Sequence, residues 1–207
     1  MRIHYLFEID VQRFLEGNPP APAWVAESLK AAPFVVVRRG PAARNQVPVG
    51  VRGAERHQRW GGSCDPRWVR RIVTPAALLN ALSRLRVDSI PAMRSLAILA
   101  NHESWKTLAH IWGPGGSVGF ELATGHPTAK PASDLDVVLY VDGYLSVEDA
   151  EVLHATTKNL PAAVDVRVEA PLCGFSLSEY ASRAPPMLLR TNSGVVLGKN
   201  PWHPIRS

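Results

Sequence analysis

Cysteine is almost missing from this chain: Cys64 and Cys173 are the only two in 207 residues, and they do not form a Cys-x-x-Cys pair. That spacing excludes a disulfide framework and a cysteine zinc site, and it makes a reducing cytoplasm the expected location. Long apolar runs are also missing, so no membrane span is expected. The first ten residues place Glu8 and Asp10 inside their apolar stretch, unlike a signal peptide. Lysine is scarce, with 5 Lys against 18 Arg. His57, His102, His110, His154 and His203 show no metal-ligand spacing. Repeats and low-complexity tracts do not occur.

The net charge of +5 is unevenly spread. Residues 1–100 hold 15 Lys and Arg against 7 Asp and Glu, whereas residues 101–207 hold 8 against 11. Nine arginines fall between Arg38 and Arg71. Their planar guanidinium groups recognise phosphate and carboxylate in bidentate fashion, which points to an anionic partner for the first half. Interleaved aromatics, expected of a single-strand nucleic-acid platform, do not accompany them. A nucleic-acid partner is therefore not expected.

Two parts are expected, residues 1–88 and residues 89–207. In the first, residues 3–9 read as a strand or a short helix, Ala23–Ala31 as a helix, and Phe34–Val37 and Gln46–Arg52 as strands. Gly61-Gly62-Ser63 reads as a turn. Thr74-Pro75 opens a helix to about Leu85, by N-cap and N1 chemistry, and Pro91 opens another. In the second part, Glu103–Trp112 reads as a helix and Val118–Ala123 as a strand. Asp134–Val141 is the most strand-like run. Ser146 and Asp149 resemble a capping box opening a helix to about Asn159. Ala163–Glu169 alternates as a strand, Ser176–Arg183 is a short helix, and the chain closes with a hairpin about Asn192-Ser193-Gly194.

The chemistry concentrates at Ser133-Asp134-Leu135-Asp136, preceded by Gly115-Gly116-Ser117. A strand alternates its side chains, so Asp134 and Asp136 share one face. Two carboxylates so close repel unless a cation sits between them. A lone Asp-x-Asp is ordinarily a solvated strand face, but this one opens an apolar, β-branched run behind a glycine-rich turn. Such a turn frees backbone N–H groups for a phosphate. Together these features point to Mg²⁺-assisted transfer of a phosphate-bearing group.

The order helix, Gly-Gly-Ser turn, strand, Asp-x-Asp strand, helix, acidic strand resembles the nucleotidyltransferase domain of the DNA polymerase β superfamily. That resemblance implies an α+β fold, with a mixed sheet and flanking helices in the second part beside a smaller, basic α/β first part. It implies phosphate contacts from Gly116 and Ser117, Mg²⁺ ligation by Asp134 and Asp136, and Asp165 as the third carboxylate. Asp134 lies seventeen positions after Ser117, a longer spacer than that superfamily usually has. A narrower likeness accommodates the spacer. Gly113–Gly125 followed by Ser133–Asp136, with Val35–Arg39, Pro48–Gly53, Asp165–Pro171, Leu188–Thr191 and Asn200–Trp202, resembles the malonate decarboxylase holo-acyl-carrier-protein synthases, or phosphoribosyl-dephospho-CoA transferases. The opening departs from that family's His-Asp-Leu-Leu and reads His4-Tyr5-Leu6-Phe7.

This likeness implies transfer of a phosphoribosyl-dephospho-CoA group from its triphosphoribosyl precursor to a serine of an apo acyl-carrier subunit, with loss of pyrophosphate. The alternative within the superfamily is transfer of a nucleotide from an ordinary nucleoside triphosphate to another hydroxyl. Glu121 is expected either to orient the phosphate turn or the metals or to make a structural hydrogen bond. His126 and Lys130 are expected in an exposed loop. Arg167 is expected beside Asp165, pairing with a carboxylate or a phosphate.

Overall fold

β-Branched and aromatic residues in alternation build two sheets, one from each half of the chain. The structure is a computed structural model and describes residues 2–55, 57–82, 90–108, 110–183 and 185–203. The first sheet is antiparallel and contains β1 (Leu6–Ile9), β2 (Phe34–Val37), β3 (Val47–Arg52), β4 (Arg59–Cys64) and β5 (Val69–Val73), in the order β4-β3-β2-β1-β5. One face buries Phe7, Ile9, Val35, Val37 and Val49 under two helices. These are α1 (Val11–Glu16), which contributes Phe14, and α2 (Ala23–Ala31), which contributes Val25 and Leu29. The other face presents Leu6, Phe34 and Val73 to the second half of the chain.

α3 (Pro75–Leu79) connects the sheets, with Thr74 Oγ1 accepting from the Ala77 N–H as N-cap. α4 (Pro91–Asn101) and α5 (Glu103–Lys106) follow. The second sheet is mixed and runs β11-β10-β9-β8-β7-β6. Its strands are β6 (Trp112–Pro114), β7 (Leu135–Tyr140), β8 (Val164–Glu169), β9 (Gly174–Ser176), β10 (Met187–Thr191) and β11 (Gly194–Gly198). Among the described strands only β7 and β8 pair in parallel, joined by the crossover helix α7 (Val147–Thr156). A short helix, α8 (Leu177–Ala181), follows β9. Leu135, Val137, Leu139, Val166 and Val168 point into a core shared with Trp105 and Trp112. Strand alternation therefore turns Asp136, Val138 and Tyr140 to the opposite face, with Asp165, Arg167 and Glu169 directly beside them in register.

Three local expectations are corrected. Val118–Ala123 is not a strand but the body of α6 (Gly116–Thr124). Val118, Phe120 and Leu122 fit a period of two, yet Val118, Gly119, Leu122 and Ala123 equally fit one helical face, and packing selects the helix. Gly119 lies against Pro114, where a Cβ would stand 2.9 Å from the carbonyl carbon, and Phe120 meets Phe34 edge-on at 6.4 Å. Gly125, left-handed at φ +73°, ends the helix. Gly61-Gly62-Ser63 is not a turn but the middle of β4, paired with Pro48, Val49 and Gly50. The predicted helix Glu103–Trp112 ends at Lys106, because Trp112 leaves it to pair with Leu139. The expected end of the Thr74-Pro75 helix near Leu85 and the expected boundary at residues 88 and 89 fall on residues 83–89, outside the described residues.

Candidate active site

Asp136 is the second residue of β7, and Asp165 is its direct neighbour on β8. Asp134 stands just before the strand, after a turn in which the Ser133 N–H donates to the Lys130 carbonyl at 2.9 Å. All three aspartates are exposed. The β7–β8 pairing thus gathers two of them, and the chain direction brings the third alongside.

The glycine-rich turn packs directly on Asp136. The Gly115 N–H donates to the Asp136 carbonyl at 2.8 Å. Gly116 has φ +54°, and a Cβ there would overlap the Asp136 carboxylate, meeting its Cγ at 2.7 Å. Only glycine satisfies both demands. Gly115 is the N-cap of α6 and supplies no side-chain cap. The N–H groups of Gly116, Ser117 and Val118 therefore lack an intrahelical acceptor, at the positive end of the helix dipole. The Ser117 carbonyl accepts the Thr128 hydroxyl at 2.8 Å. An uncapped helix N-terminus beside a carboxylate is suited to a phosphate that arrives with a cation.

Electrostatics reinforce this. The Asp136 carboxyl is pushed up from the usual carboxylate range, first by loss of hydration among its neighbours and then by the Asp165 carboxylate. Asp134 adds to that push, whereas Arg52 and Arg167 oppose it. Arg167 donates to Asp165 Oδ2 at 3.3 Å through one Nη, while its other Nη is buried without a hydrogen-bond partner among the described residues. That idle donor beside three acids suits a phosphate oxygen. Among the described residues no three His, Cys, Asp or Glu side chains stand together closely enough to hold an ion as placed. Mutual repulsion and oxygen-only ligands nevertheless fit a hard divalent cation at Asp134, Asp136 and Asp165.

The remaining candidates separate clearly. Glu121 accepts the Thr128 and Ala129 N–H groups, both at 2.9 Å, and so fastens the following loop to α6. This is the structural alternative, and it explains the residue. His126 and Lys130 are exposed on that loop.

A second polar cluster, at the far end of β8, was not foreseen from sequence. Buried Glu169 faces His4 Nε2 at 3.0 Å and pairs with Arg39, whose other Nη donates to Asn192 at 3.2 Å. Burial raises the Glu169 carboxyl, but the His4 hydrogen bond and charge, with Arg39, outweigh it and hold the carboxyl below its ordinary value. The only sequence signal was the shared alternation of Asp165, Arg167 and Glu169.

A glycine-bedded helix start against strand-borne carboxylates suits an enzyme that transfers phosphate-bearing groups. Comparison with known proteins narrows the class. A family model described as the phosphoribosyl-dephospho-CoA transferase MdcG C-terminal domain matches residues 77–201, and the corresponding N-terminal domain matches residues 2–75. The chain belongs to this transferase family. Three similar relatives are each named phosphoribosyl-dephospho-CoA transferase. That of Pseudomonas aeruginosa is 36% identical over 182 residues, covering 88% of this chain and 85% of the relative. That of Klebsiella pneumoniae is 36% identical over 186 residues, covering 88% of each. That of Pseudomonas syringae pv. tomato is 37% identical over 183 residues, covering 88% and 85%. No match was found among solved structures.

Proposed function

We propose that this transferase moves the 2'-(5''-phosphoribosyl)-3'-dephospho-CoA group from its triphosphoribosyl precursor to a serine on the apo acyl-carrier subunit of malonate decarboxylase. The observation that carries the reading is the packing of Gly115-Gly116 on Asp136. It brings an uncapped helix start into contact with an acidic strand, which supports transfer from a polyphosphate.

The free N–H groups at the start of α6, with Ser117, bind the triphosphate. Asp134, Asp136 and Asp165 would hold Mg²⁺, which would neutralise charge on the phosphates undergoing displacement. The serine oxygen attacks the phosphorus attached to the ribose. A new P–O bond forms, the bond to the next phosphate breaks, and pyrophosphate leaves. One carboxylate of the Asp134–Asp136 pair takes the serine proton. Arg167 offers a phosphate oxygen the Nη that has no partner among the described residues, while its other Nη keeps Asp165.

Intact-mass analysis of apo carrier incubated with the chain, the triphosphoribosyl donor and Mg²⁺ tests this. Wild type adds one prosthetic group, and the Asp134→Ala, Asp136→Ala double variant adds none. An unmodified carrier, with donor intact and enzyme folded, overturns the assignment.

A further inference from the structure

Of the described arginines, seven pair with a carboxylate; Arg2 with Asp142 and Arg71 with Glu8 are examples. Arg38, Arg52 and Arg59 do not pair with one among the described residues, and all three are exposed. These three occupy one face of the first sheet. Arg52 and Arg59 are directly opposite each other across β3 and β4, and the next pair on that face is Gly50 with Gly61. Arg38 lies flat over these glycines. Its guanidinium fills the space a Cβ would need at Gly61, and its Cδ is 3.7 Å from the Cβ position of Gly50. Like charges directly opposite each other destabilise a sheet. The Arg38 guanidinium at Gly61 lies one same-face strand step, about 7 Å along the strands, from the Arg52–Arg59 pair, and three like charges on one face form a site that an anion relieves.

The location narrows the anion. The same face carries Leu6, Phe34 and Val36, which pack on Phe120 and Leu122 of α6, the helix whose start abuts Asp136. Arg52 is near enough to act on the Asp136 carboxyl. The basic face thus continues outward from the phosphate cradle. The proposed donor carries two separate phosphate groups: the triphosphate on its added ribose and the diphosphate joining adenosine to pantetheine. The cradle takes the first and leaves the second without a partner.

We propose that Arg38, Arg52 and Arg59 form a second phosphate subsite, which holds the diphosphate of the donor's dephospho-CoA moiety. This rests on the donor assigned under Proposed function. A flat guanidinium laid on a glycine floor presents its donor edge already ordered, which suits bidentate contact with a compact phosphate. Arg38 and Arg59 are the residues to test, because neither touches the carboxylates.

Calorimetric titration of the full chain with dephospho-CoA, and with pantetheine as a ligand lacking the diphosphate, reads the subsite without turnover. Wild type binds dephospho-CoA more tightly than pantetheine. Arg38→Ala and Arg59→Ala each weaken dephospho-CoA binding about 10-fold, in line with loss of a charged hydrogen bond, and leave pantetheine binding unaltered. Arg38→Lys, which keeps the charge and loses the fork, falls between. Exposed Arg94→Ala binds as wild type. In turnover, the Arg38 and Arg59 variants raise KM for the donor and not for the carrier. Equal wild-type affinity for the two ligands overturns the subsite. So does a raised KM for carrier alone, which assigns the face to carrier docking. Arginine-dependent dephospho-CoA binding without transfer to carrier would sink the proposed reaction and leave the subsite standing.

Discussion

Asp136 is where one residue bears the most conflicting demands. Its carbonyl anchors Gly115, its carboxylate presses on Gly116, and its charge opposes those of Asp165 and Asp134. Such crowding costs stability when no cation is bound and is useful only for function. If Asp136 is a ligand of the proposed metal, Asp136→Asn is expected to cut transfer at least about 100-fold, because such a metal would supply several kcal/mol of charge stabilisation. The same variant is expected to melt at a higher temperature than wild type in chelator at pH 7. Added Mg²⁺ raises the melting temperature of wild type and not of the variant. Differential scanning fluorimetry reads both effects, and a variant that is less stable in chelator would contradict this account of the site.

At the scale of elements, α6 teaches most. Its sequence satisfies strand and helix periods together, and neighbours outside the segment settle the choice. Gly119 must approach Pro114, and Phe120 must reach Phe34 on the first sheet. By contrast, β2, β3, α2, α4 and the β10–β11 hairpin were readable, because each has an unambiguous period or a strong cap or turn. Gly61 and Gly62 misled, since glycine pairs ordinarily punctuate strands. Here they keep β4 bare enough for Arg38 and Trp60 to lie across it. Two glycines with positive φ separate conformational from functional cost. Gly125→Ala, with nothing within 4 Å of the added methyl, loses about 1 kcal/mol to backbone strain and keeps its transfer rate. Gly116→Ala suffers a similar strain and also displaces the Asp136 carboxylate, so its transfer rate collapses. Chemical denaturation and the mass assay distinguish the two.

Across the whole molecule, side chains join the sheets at both ends of β7 and β8. α6 lies between the sheets near the carboxylates, and His4, Arg39 and Glu169 close the opposite end. Tyr140 supports that closure, with its hydroxyl donating to the Ile3 carbonyl at 2.6 Å and its ring edge-on to Tyr5 at 6.0 Å. Glu169→Ala leaves the largely covered Arg39 without its counter-charge and is expected to cost about 3 kcal/mol. The Glu169 carboxyl lies below its ordinary value of 4.5 in the folded chain. Its stabilisation is thus fully present above pH 4.5 and is lost as pH falls through the lower, folded value. A Glu169→Gln chain is expected to lack that acid-side loss in a melting-temperature profile against pH. Equal slopes in the two profiles would remove Glu169 from the closure.

The linear order of residues was enough to locate the acidic strand, the glycine turn, the likeness to a transferase family and the division into a basic and an acidic half. Each of those depends on neighbours within a few positions or on total charge. It was not enough to choose helix for α6, to bring Arg52 from the first sheet toward Asp136, or to join His4 and Arg39 to Glu169. Those outcomes depend on contacts between segments more than 80 residues apart, such as the 165 positions between His4 and Glu169. Such contacts leave no local period, because the burial and charge pairing that determine them exist only once both sheets are assembled.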